Sequence, residues 1–355
     1  MSYFRPAVDA MTGYVPGEQP RPETPIIKLN TNENPYPPSP QVMAALRDLD
    51  SEYLRRYPDP FAKEFCRAIS DALAVPNDWI IVGNGSDDLL NLLVRACAEG
   101  CDRTVVYPTP TYVLYQVLAA IQPATAVEIP YRDNFQLPTK QLLEANGAIT
   151  FVASPNSPSG HIVPLADLRE LAQGLSGILV IDEAYVDFAE FSALPLVQEF
   201  ENVIVLRTLS KGYSLAGLRM GFGVAHPKLL TGLFKVKDSY NIDAIAIALG
   251  TAAMLDQAYK NTCADKVKVS RQKLTIDLKN LGFTVLESHG NFVLATPFED
   301  KAESLYRGLK KRGILVRHFK QSGLENKLRI SVGTEEQGQI LIAALANLLT
   351  NNETN

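Results

Sequence analysis

The chain has 355 residues, which is long for a single hydrophobic core, so we expect two domains or one large α/β domain with an appendage. Hydrophobic residues make up 46% and charged residues 21% of the sequence, as in ordinary soluble globular proteins. With 34 basic and 39 acidic side chains the formal charge is −5, which gives no reason to expect a nucleic-acid partner.

Several other classes are disfavoured by simple patterns. The segment MSYFRPAVDAMTGYVPG lacks the charged-then-apolar pattern of a secretory signal, and no apolar run is long enough to span a bilayer, so no membrane partner is expected. The cysteines contain no C-x-x-C pair and the histidines no H-E-x-x-H motif, so we expect no metal site. Unpaired cysteines favour a reducing, cytoplasmic location.

Residues 1–40 are rich in proline, which is unsuited to helices and poor in strands, and we expect an extended arm that belongs to a smaller domain. A disordered tail is the alternative. Ile26, Ile27, Leu29 and Tyr36 supply apolar anchors, which favour an arm packed on the protein or on a neighbouring subunit.

Residues 41–242 alternate short apolar runs with helical patterns such as 87–98 and 165–173. The predicted strands are 80–82, 104–107, 126–129, 149–153, 178–181, 203–206 and 221–225. Their near-continuous apolarity is typical of strands buried on both faces. The alternation predicts a large α/β domain with a mostly parallel seven-stranded sheet between helices.

Residues 243–355 follow a different pattern, with long helices at 244–255 and 266–281 and a last helix from Glu335. Strands are predicted around 283–286, 292–295, 314–316 and 328–331. Helices grouped with antiparallel strands indicate a second, smaller α+β domain.

Ligands of parallel sheets bind beyond the carboxyl ends of the strands, so we expect functional residues in the segments that follow the strands. Residues 83–87 (GNGSD) follow one strand and precede a helix, where glycines and free N–H groups suit a phosphate. Asp88 replaces the third glycine of a dinucleotide fingerprint, and a nucleotide P-loop lysine is missing. A tight turn with Ser86 or Asp87 as helix cap explains the run equally well.

Two further strands end in polar residues. Residues 154–160 (SPNSPSG) form a stiff loop that holds the amide of Asn156 toward a ligand or is simply a turn. Asp182 directly follows a buried strand, where a carboxylate is costly without a cationic partner such as a protonated pyridine nitrogen. Magnesium ligation and a plain surface carboxylate are the alternatives.

The most informative segment is residues 207–221 (RTLSKGYSLAGLRMG). Most lysines are solvated surface groups, but Lys211 lies on a tight turn among hydroxyls and glycines, from which it can reach a cleft. An apolar or cationic pocket lowers the pKa of a lysine, as a Schiff-base lysine requires. Thr208, Ser210 and Arg219 supply donors for a phosphate.

Taken together, these segments resemble the fold-type I aminotransferases, and in particular the branch that acts on histidinol phosphate. The resemblance runs from residues 29–35 (LNTNENP) to 328–334 (LRISVGT), and 182–185 (DEAY), 208–211 (TLSK) and 217–221 (GLRMG) are its most specific motifs. Ser157 and Ser159 depart from the usual asparagine and threonine of the loop, and Gly212-Tyr213 depart from the usual Ala-Phe.

The resemblance implies pyridoxal 5′-phosphate (PLP) as the cofactor, joined to Lys211, which would also move a proton during the reaction. Asp182 would keep the pyridine nitrogen protonated. Tyr185 and Asn156 would hydrogen-bond the 3′-oxygen of the ring, and Tyr112 would stack on the ring face.

It also implies two anion sites. The cofactor phosphate would be held by Gly85, Ser86, Asp87, Thr208, Ser210 and Arg219, and by Tyr57 of a second subunit, which implies a homodimer with shared active sites. Arg329 and Arg317 would bind the substrate anion, and Tyr14 would line the substrate pocket.

The first functional hypothesis is therefore amino-group transfer between histidinol phosphate and 2-oxoglutarate, with glutamate as the other amino acid, in histidine biosynthesis. An aromatic amino-acid aminotransferase and a threonine-phosphate decarboxylase of the same fold are alternatives. A non-catalytic PLP-binding regulator would need a DNA-binding module, for which the arm is too short and too rich in proline. A nicotinamide dehydrogenase is disfavoured by the incomplete glycine motif.

Overall fold

The computed structural model describes residues 2–14, 17–20, 26–132 and 135–350. Within these ranges, no helix is both long enough and apolar enough to cross a lipid bilayer. The helices are α1 (Pro6–Ala10), α2 (Pro40–Arg47), α3 (Ser51–Arg55), α4 (Lys63–Leu73), α5 (Ser86–Cys97), α6 (Leu114–Ile121), α7 (Thr139–Ala145), α8 (Leu165–Gly174), α9 (Leu196–Glu199), α10 (Pro227–Val236), α11 (Ala244–Leu255), α12 (Gln257–Asn280), α13 (Ala302–Lys311) and α14 (Glu335–Thr350).

The strands are short, as their apolar runs predict. They are β1 (Ile27–Lys28), β2 (Ile80–Gly83), β3 (Val105–Thr109), β4 (Ala126–Pro130), β5 (Ile149–Ala153), β6 (Ile178–Asp182), β7 (Val203–Thr208), β8 (Gly221–Ala225), β9 (Thr284–Val285), β10 (Phe292–Thr296), β11 (Ile314–Leu315), β12 (Arg317–His318) and β13 (Leu328–Ser331). Each predicted strand of the large sheet therefore has its counterpart.

The central sheet has seven strands in the order β2-β8-β7-β6-β5-β3-β4. Only β8 runs against its neighbours, and it pairs antiparallel with both β2 and β7. The mostly parallel sheet expected from the sequence is thus confirmed. Because β8 is reversed, its first residue, Gly221, lies opposite Gly83 and Thr208, the last residues of β2 and β7.

Apart from the half-exposed edge strand β4, both faces of this sheet are buried, which explains why its strands are nearly continuous apolar runs. Side chains alternate along a strand, so in β7 Val203 and Val205 join one core cluster while Ile204 and Leu206 join the other. The first cluster is covered by α2, α4, α7, α8, α9 and α11. The second is covered by α5, α6 and α10.

A separate core cluster joins α12, α13 and α14 to a four-stranded antiparallel sheet of order β12-β13-β10-β9. Leu29 is buried in this cluster and Tyr36 packs against it, while β1 pairs in parallel with β11. These contacts support our proposal that residues up to about 40 belong with the small domain.

The start of the small domain is less simple. Helix α11 lies beyond residue 242, yet Ala246, Leu249 and Met254 are buried in the core of the large sheet, beside α2 and α4. We therefore propose that the division falls between α11 and α12 rather than at 242.

Two local expectations were wrong. Residues 1–40 were expected to contain no helix, but Pro6 opens α1 and Pro40 opens α2, because the first helical turn does not need the N–H that proline lacks. Helix α12 begins at Gln257 rather than at residue 266, since the Asp256 side chain accepts a hydrogen bond from the Tyr259 N–H and caps it there.

Candidate active site

One cavity lies between the carboxyl edge of the central sheet and the small-domain strands. The predicted site residues that line it are Tyr14, Ser86, Asp87, Tyr112, Asp182, Tyr185, Thr208, Ser210, Lys211, Arg219, Arg317 and Arg329. Lys211 and Asp182, which are separated in the sequence by α9 and β7, therefore face the same space. Gly85, Asn156 and Tyr57 are not among the lining residues.

One end of the cavity is built to hold an anion. The first turn of α5 begins at Ser86 and leaves its backbone N–H groups without partners in the helix. The Arg219 guanidinium lies 3.4 Å from the Ser210 hydroxyl and 3.4 Å from the Asp87 carboxylate. The Thr208 hydroxyl donates to Ser210 at 3.0 Å. These donors, which we call the anion cradle (residues 85–87, 208, 210 and 219), converge from three segments of the chain.

Two glycines allow the cradle to close. Gly85 has φ of +80°, and a side-chain carbon there would lie 2.7 Å from the Arg219 guanidinium. A side-chain carbon on Gly221 would lie 2.5 Å from the backbone nitrogen of Ser86. Both positions therefore require glycine if the loops are to approach each other this closely.

Asp182 lies at the end of β6 with only 5% of its surface exposed. Its Oδ2 accepts a 2.8 Å hydrogen bond from the Tyr115 hydroxyl, and its Oδ1 accepts one from the Ala184 N–H at 3.1 Å. Burial raises the pKa of Asp182 to about 6, although both hydrogen bonds act to lower it. A cation bound in the cavity would offset this cost of burial.

Aromatic rings form one wall of the cavity. The Tyr112 ring packs edge-on against Tyr115 at 5.8 Å and against Tyr14 at 6.3 Å between centroids. Its hydroxyl donates to the Asp87 carboxylate at 3.2 Å, and burial raises the pKa of this hydroxyl. The wall therefore presents apolar ring surfaces, and the Tyr112 hydroxyl connects it to the anion cradle through Asp87.

Lys211 directly follows the hydroxyls of the cradle. Its Nζ donates to the Thr31 carbonyl at 3.3 Å and lies 5.7 Å from the centroid of the Tyr185 ring. The carbonyl of Lys211 accepts a hydrogen bond from the Asn34 side chain at 3.0 Å, which ties the lysine turn to the arm. The amine is thus presented to the cavity between the two domains.

Two further guanidinium groups, those of Arg317 and Arg329, also line the cavity. Arg329 donates to the Ser157 hydroxyl at 2.8 Å and to the Asn30 carbonyl at 3.0 Å, and it lies over the Phe292 ring. Arg317 lies over the ring of Phe319. Neither arginine has a carboxylate partner within the described part of the chain, and burial lowers the pKa of Arg329. Such unneutralised guanidiniums favour a bound anion.

Asn156 and Tyr57 lie outside the cavity, so their predicted contacts with the cofactor stay predictions. Asn156 is fully buried, and its carboxamide accepts from Thr111 at 2.6 Å and donates to Ser159 at 2.8 Å. Tyr57 is 81% exposed and stacks on Tyr240 with 4.5 Å between ring centroids.

Sequence reasoning missed Tyr115 and Asn32. Tyr115 lies in the apolar helix α6 and looks in the sequence like an ordinary core residue. Asn32 belongs to a segment recognised from the resemblance, but its side chain donates to the Tyr185 hydroxyl at 3.0 Å. No sequence pattern indicates that contact.

Comparisons with known proteins agree with this geometry. "Histidinol-phosphate aminotransferase 1" of Trichormus variabilis is 65% identical over 348 residues, which cover 98% of this chain and 99% of that protein. The histidinol-phosphate aminotransferase of Citrifermentans bemidjiense is 42% identical over 348 residues, with 98% and 99% covered.

The crystal structure of histidinol-phosphate aminotransferase from Sinorhizobium meliloti in complex with pyridoxal-5′-phosphate superposes with a TM-score of 0.89 and 28% identity, and 98% of each chain is covered. The sequence model described as "Aminotransferase class I and II" matches residues 24–345. With the lysine, the buried carboxylate and the anion cradle on one cavity, the chain belongs to the class I and II aminotransferase family.

Proposed function

We propose that the protein uses PLP to transfer an amino group between histidinol phosphate and 2-oxoglutarate, in histidine biosynthesis. The observation that carries this proposal is one shared cavity, which is lined by Lys211, by Asp182, by residues of the anion cradle and by two arginines that have no carboxylate partner among the described residues. The relatives named for this activity, at up to 65% identity over the full chain, support the choice of substrate.

The residues of the cavity fit PLP. Asp182 is a buried carboxylate whose pKa is raised by burial, and a protonated pyridine nitrogen beside it would offset this cost. The anion cradle suits a phosphate, and the Tyr112 ring provides a face for the flat cofactor. When bound, the cofactor supplies an aldehyde that takes up the amino group and a ring that withdraws electrons from the substrate.

The protein's own groups then have separable roles. Lys211 Nζ holds the cofactor and exchanges a proton at the amino-bearing carbon of the substrate. Asp182 holds the proton on the ring nitrogen. Arg329 and Arg317 bind a carboxylate in one half-reaction and a phosphate in the other, because the planar guanidinium pairs with both.

A half-reaction screen tests this proposal. The purified protein, saturated with PLP, is mixed with one amino donor at a time: histidinol phosphate, glutamate, phenylalanine, tyrosine or threonine phosphate. Rapid loss of the cofactor's visible absorbance with histidinol phosphate and glutamate is the expected result. Preference for phenylalanine or tyrosine would indicate an aromatic aminotransferase, and release of carbon dioxide from threonine phosphate would indicate a decarboxylase.

We also propose a homodimer in which Tyr57 completes the site of the other subunit. Tyr57 is exposed together with other large apolar side chains, namely Tyr53, Leu54, Phe61 and Tyr240. An exposed apolar patch of this kind favours burial against a partner. A cytoplasmic location is proposed as well, supported by the four cysteines, which are all unpaired.

A further inference from the structure

A buried polar network joins Asn32 to the cavity from the side of the small domain. Asn32 is 1% exposed, and each of its polar groups has a partner. Its N–H donates to the Ser331 hydroxyl at 2.8 Å, and its carbonyl accepts from the Asn291 side chain at 2.9 Å. Its side chain lies between Ser331 and Tyr185. The residue is therefore fixed by Asn291, which directly precedes β10, by Ser331 at the end of β13 and by Tyr185 in the loop after β6.

The hydroxyl of Ser331 determines which way the amide of Asn32 faces. Ser331 is 2% exposed, and its oxygen already accepts the Asn32 N–H. Its single proton needs an acceptor, and the Asn32 Oδ1 lies 3.0 Å away. A reversed amide would leave this buried proton without an acceptor, which is costly. The amide nitrogen of Asn32 therefore faces Tyr185.

This orientation controls the proton of the Tyr185 hydroxyl. Because Asn32 Nδ2 donates to the Tyr185 oxygen at 3.0 Å, the hydroxyl proton cannot point back toward Asn32. Tyr185 lines the cavity, and its hydroxyl donates to no protein acceptor within the described residues. Its proton is thus available to an acceptor in the cavity.

We propose that Asn32 is a positioning residue that aims the Tyr185 hydroxyl proton at the 3′-oxygen of the cofactor. This inference rests on the proposed function, since it requires PLP in the cavity. A donor at the 3′-oxygen stabilises negative charge there and so opposes protonation of the bound cofactor. Asn32 thereby helps to keep the resting cofactor unprotonated.

The backbone at this position restricts the choice of residue. Asn32 has φ of +55°, a left-handed conformation that asparagine and glycine adopt most readily. Asparagine alone of these two carries an amide that both accepts from Ser331 and donates to Tyr185. Glycine in its place keeps the backbone unstrained and removes only the amide, so Asn32→Gly is a clean test.

The test is a double-mutant cycle read from the pH titration of the bound cofactor's visible absorbance, which does not depend on turnover. Asn32→Gly is expected to raise the pH midpoint by about half a unit, because the donor at the 3′-oxygen is less well directed. Tyr185→Phe should raise it at least as much. In the Tyr185→Phe background, Asn32→Gly should add no further shift.

Asn146→Gly is the matched control, since Asn146 is exposed, has φ of +40° and lies away from the cavity. It should leave the midpoint unchanged. If Asn32→Gly does not fold, Ser331→Ala frees the same amide and should raise the midpoint in the same direction.

The role of Asn32 would be overturned if the pH midpoint of the cofactor's absorbance is unchanged in these variants. It would also be overturned if Asn32→Gly causes its full shift in the Tyr185→Phe background. Absence of any saturable visible absorbance when PLP is added to the unmodified protein would instead overturn the proposed function, and this inference with it.

Discussion

The Tyr115 hydroxyl donates a 2.8 Å hydrogen bond to Oδ2 of Asp182, and it does so from the buried side of the carboxylate. Tyr115 is itself fully buried and stacks on Phe151 at 4.6 Å. The carboxylate is therefore held in place by the protein core even when no cation faces it. Its position is therefore fixed before the cofactor binds. Without the cofactor, the protein carries the unfavourable free energy of a buried charge.

Asp182→Asn should make the cofactor-free protein more stable and the enzyme nearly inactive. The folded-state pKa of Asp182, about 6, lies above the ordinary 3.8, so its contribution to stability falls as pH rises through this window. Above about pH 6 the variant should gain on the order of 1–3 kcal/mol in the free energy of unfolding, measured in urea. With PLP its kcat should fall by orders of magnitude, and a near-normal kcat would contradict the pairing with the ring nitrogen.

Lys211→Ala should lose both the cofactor's pH-dependent visible absorbance and turnover, because no other amine in the variant replaces its Nζ. Absorbance spectra and a coupled assay measure the two losses. Lys140→Ala is a suitable control, since Lys140 is exposed on α7, where it pairs with Glu144, and does not line the cavity. A Lys211→Ala protein that still transfers amino groups at the unmodified rate would show that another residue holds the cofactor.

Arg329→Lys should weaken the binding of both amino donors. A lysine keeps the charge but cannot hold Ser157 and Asn30 while pairing bidentately with an anion, so kcat/KM should fall about 10- to 100-fold for glutamate and for histidinol phosphate. Steady-state kinetics with each donor measures this. Arg169→Lys, at a surface ion pair with Glu199, should change neither value. If kcat/KM in the Arg329→Lys protein equals that of the unmodified protein for both donors, the substrate anion does not bind at Arg329.

Tyr57→Phe should retain PLP less tightly, with a Kd about tenfold higher, if its hydroxyl reaches the phosphate of the other subunit. Co-expression with Lys211→Ala provides the sharper measurement. A mixed dimer has one site with both defects and one intact site, so tight retention should return at the one site of that dimer that keeps Lys211. A fully active monomer in light scattering would rule out shared sites.

Gly221→Ala should damage the anion cradle, because the new methyl group would meet the Ser86 nitrogen at 2.5 Å. We expect a loss of about 1–3 kcal/mol in unfolding free energy and weaker binding of inorganic phosphate in calorimetry. Gly232→Ala is the control, since nothing lies within 4 Å of that position in α10, and it should stabilise the protein by up to about 1 kcal/mol. If the two variants have the same unfolding free energy and the same phosphate affinity, Gly221 does not pack closely against Ser86.

Much of the fold follows from local patterns. The central strands are buried on both faces, so runs such as 149–153 and 203–206 are nearly continuous in apolarity and bounded by turn residues. The cavity residues at the strand ends, Asp182 among them, follow from the rule that ligands bind at the carboxyl edge. The predicted start of α12 and the absence of a helix at Pro6 were wrong because each depends on one residue, the Asp256 cap in α12 and the proline at the first position of α1.

The contacts that orient the site could not be predicted in this way. The bond between Asn32 and Tyr185 joins residues 153 positions apart, and its direction depends on Ser331, a further 146 positions along the chain (331 minus 185). Each of these side chains reads locally as an ordinary polar residue. Such contacts depend on tertiary packing, which periodicity does not report.

The reversed strand β8 also has a consequence for how the protein assembles. The anion cradle takes its parts from the ends of β2 and β7, and these ends lie side by side only once Gly221 has entered the sheet between them. The site therefore cannot form before this edge has folded, a step that requires pairing between distant segments. An anion bound in the cradle stabilises the folded state in which β8 pairs with β2 and β7. Saturation with PLP should therefore slow the loss of β2 from the sheet during unfolding.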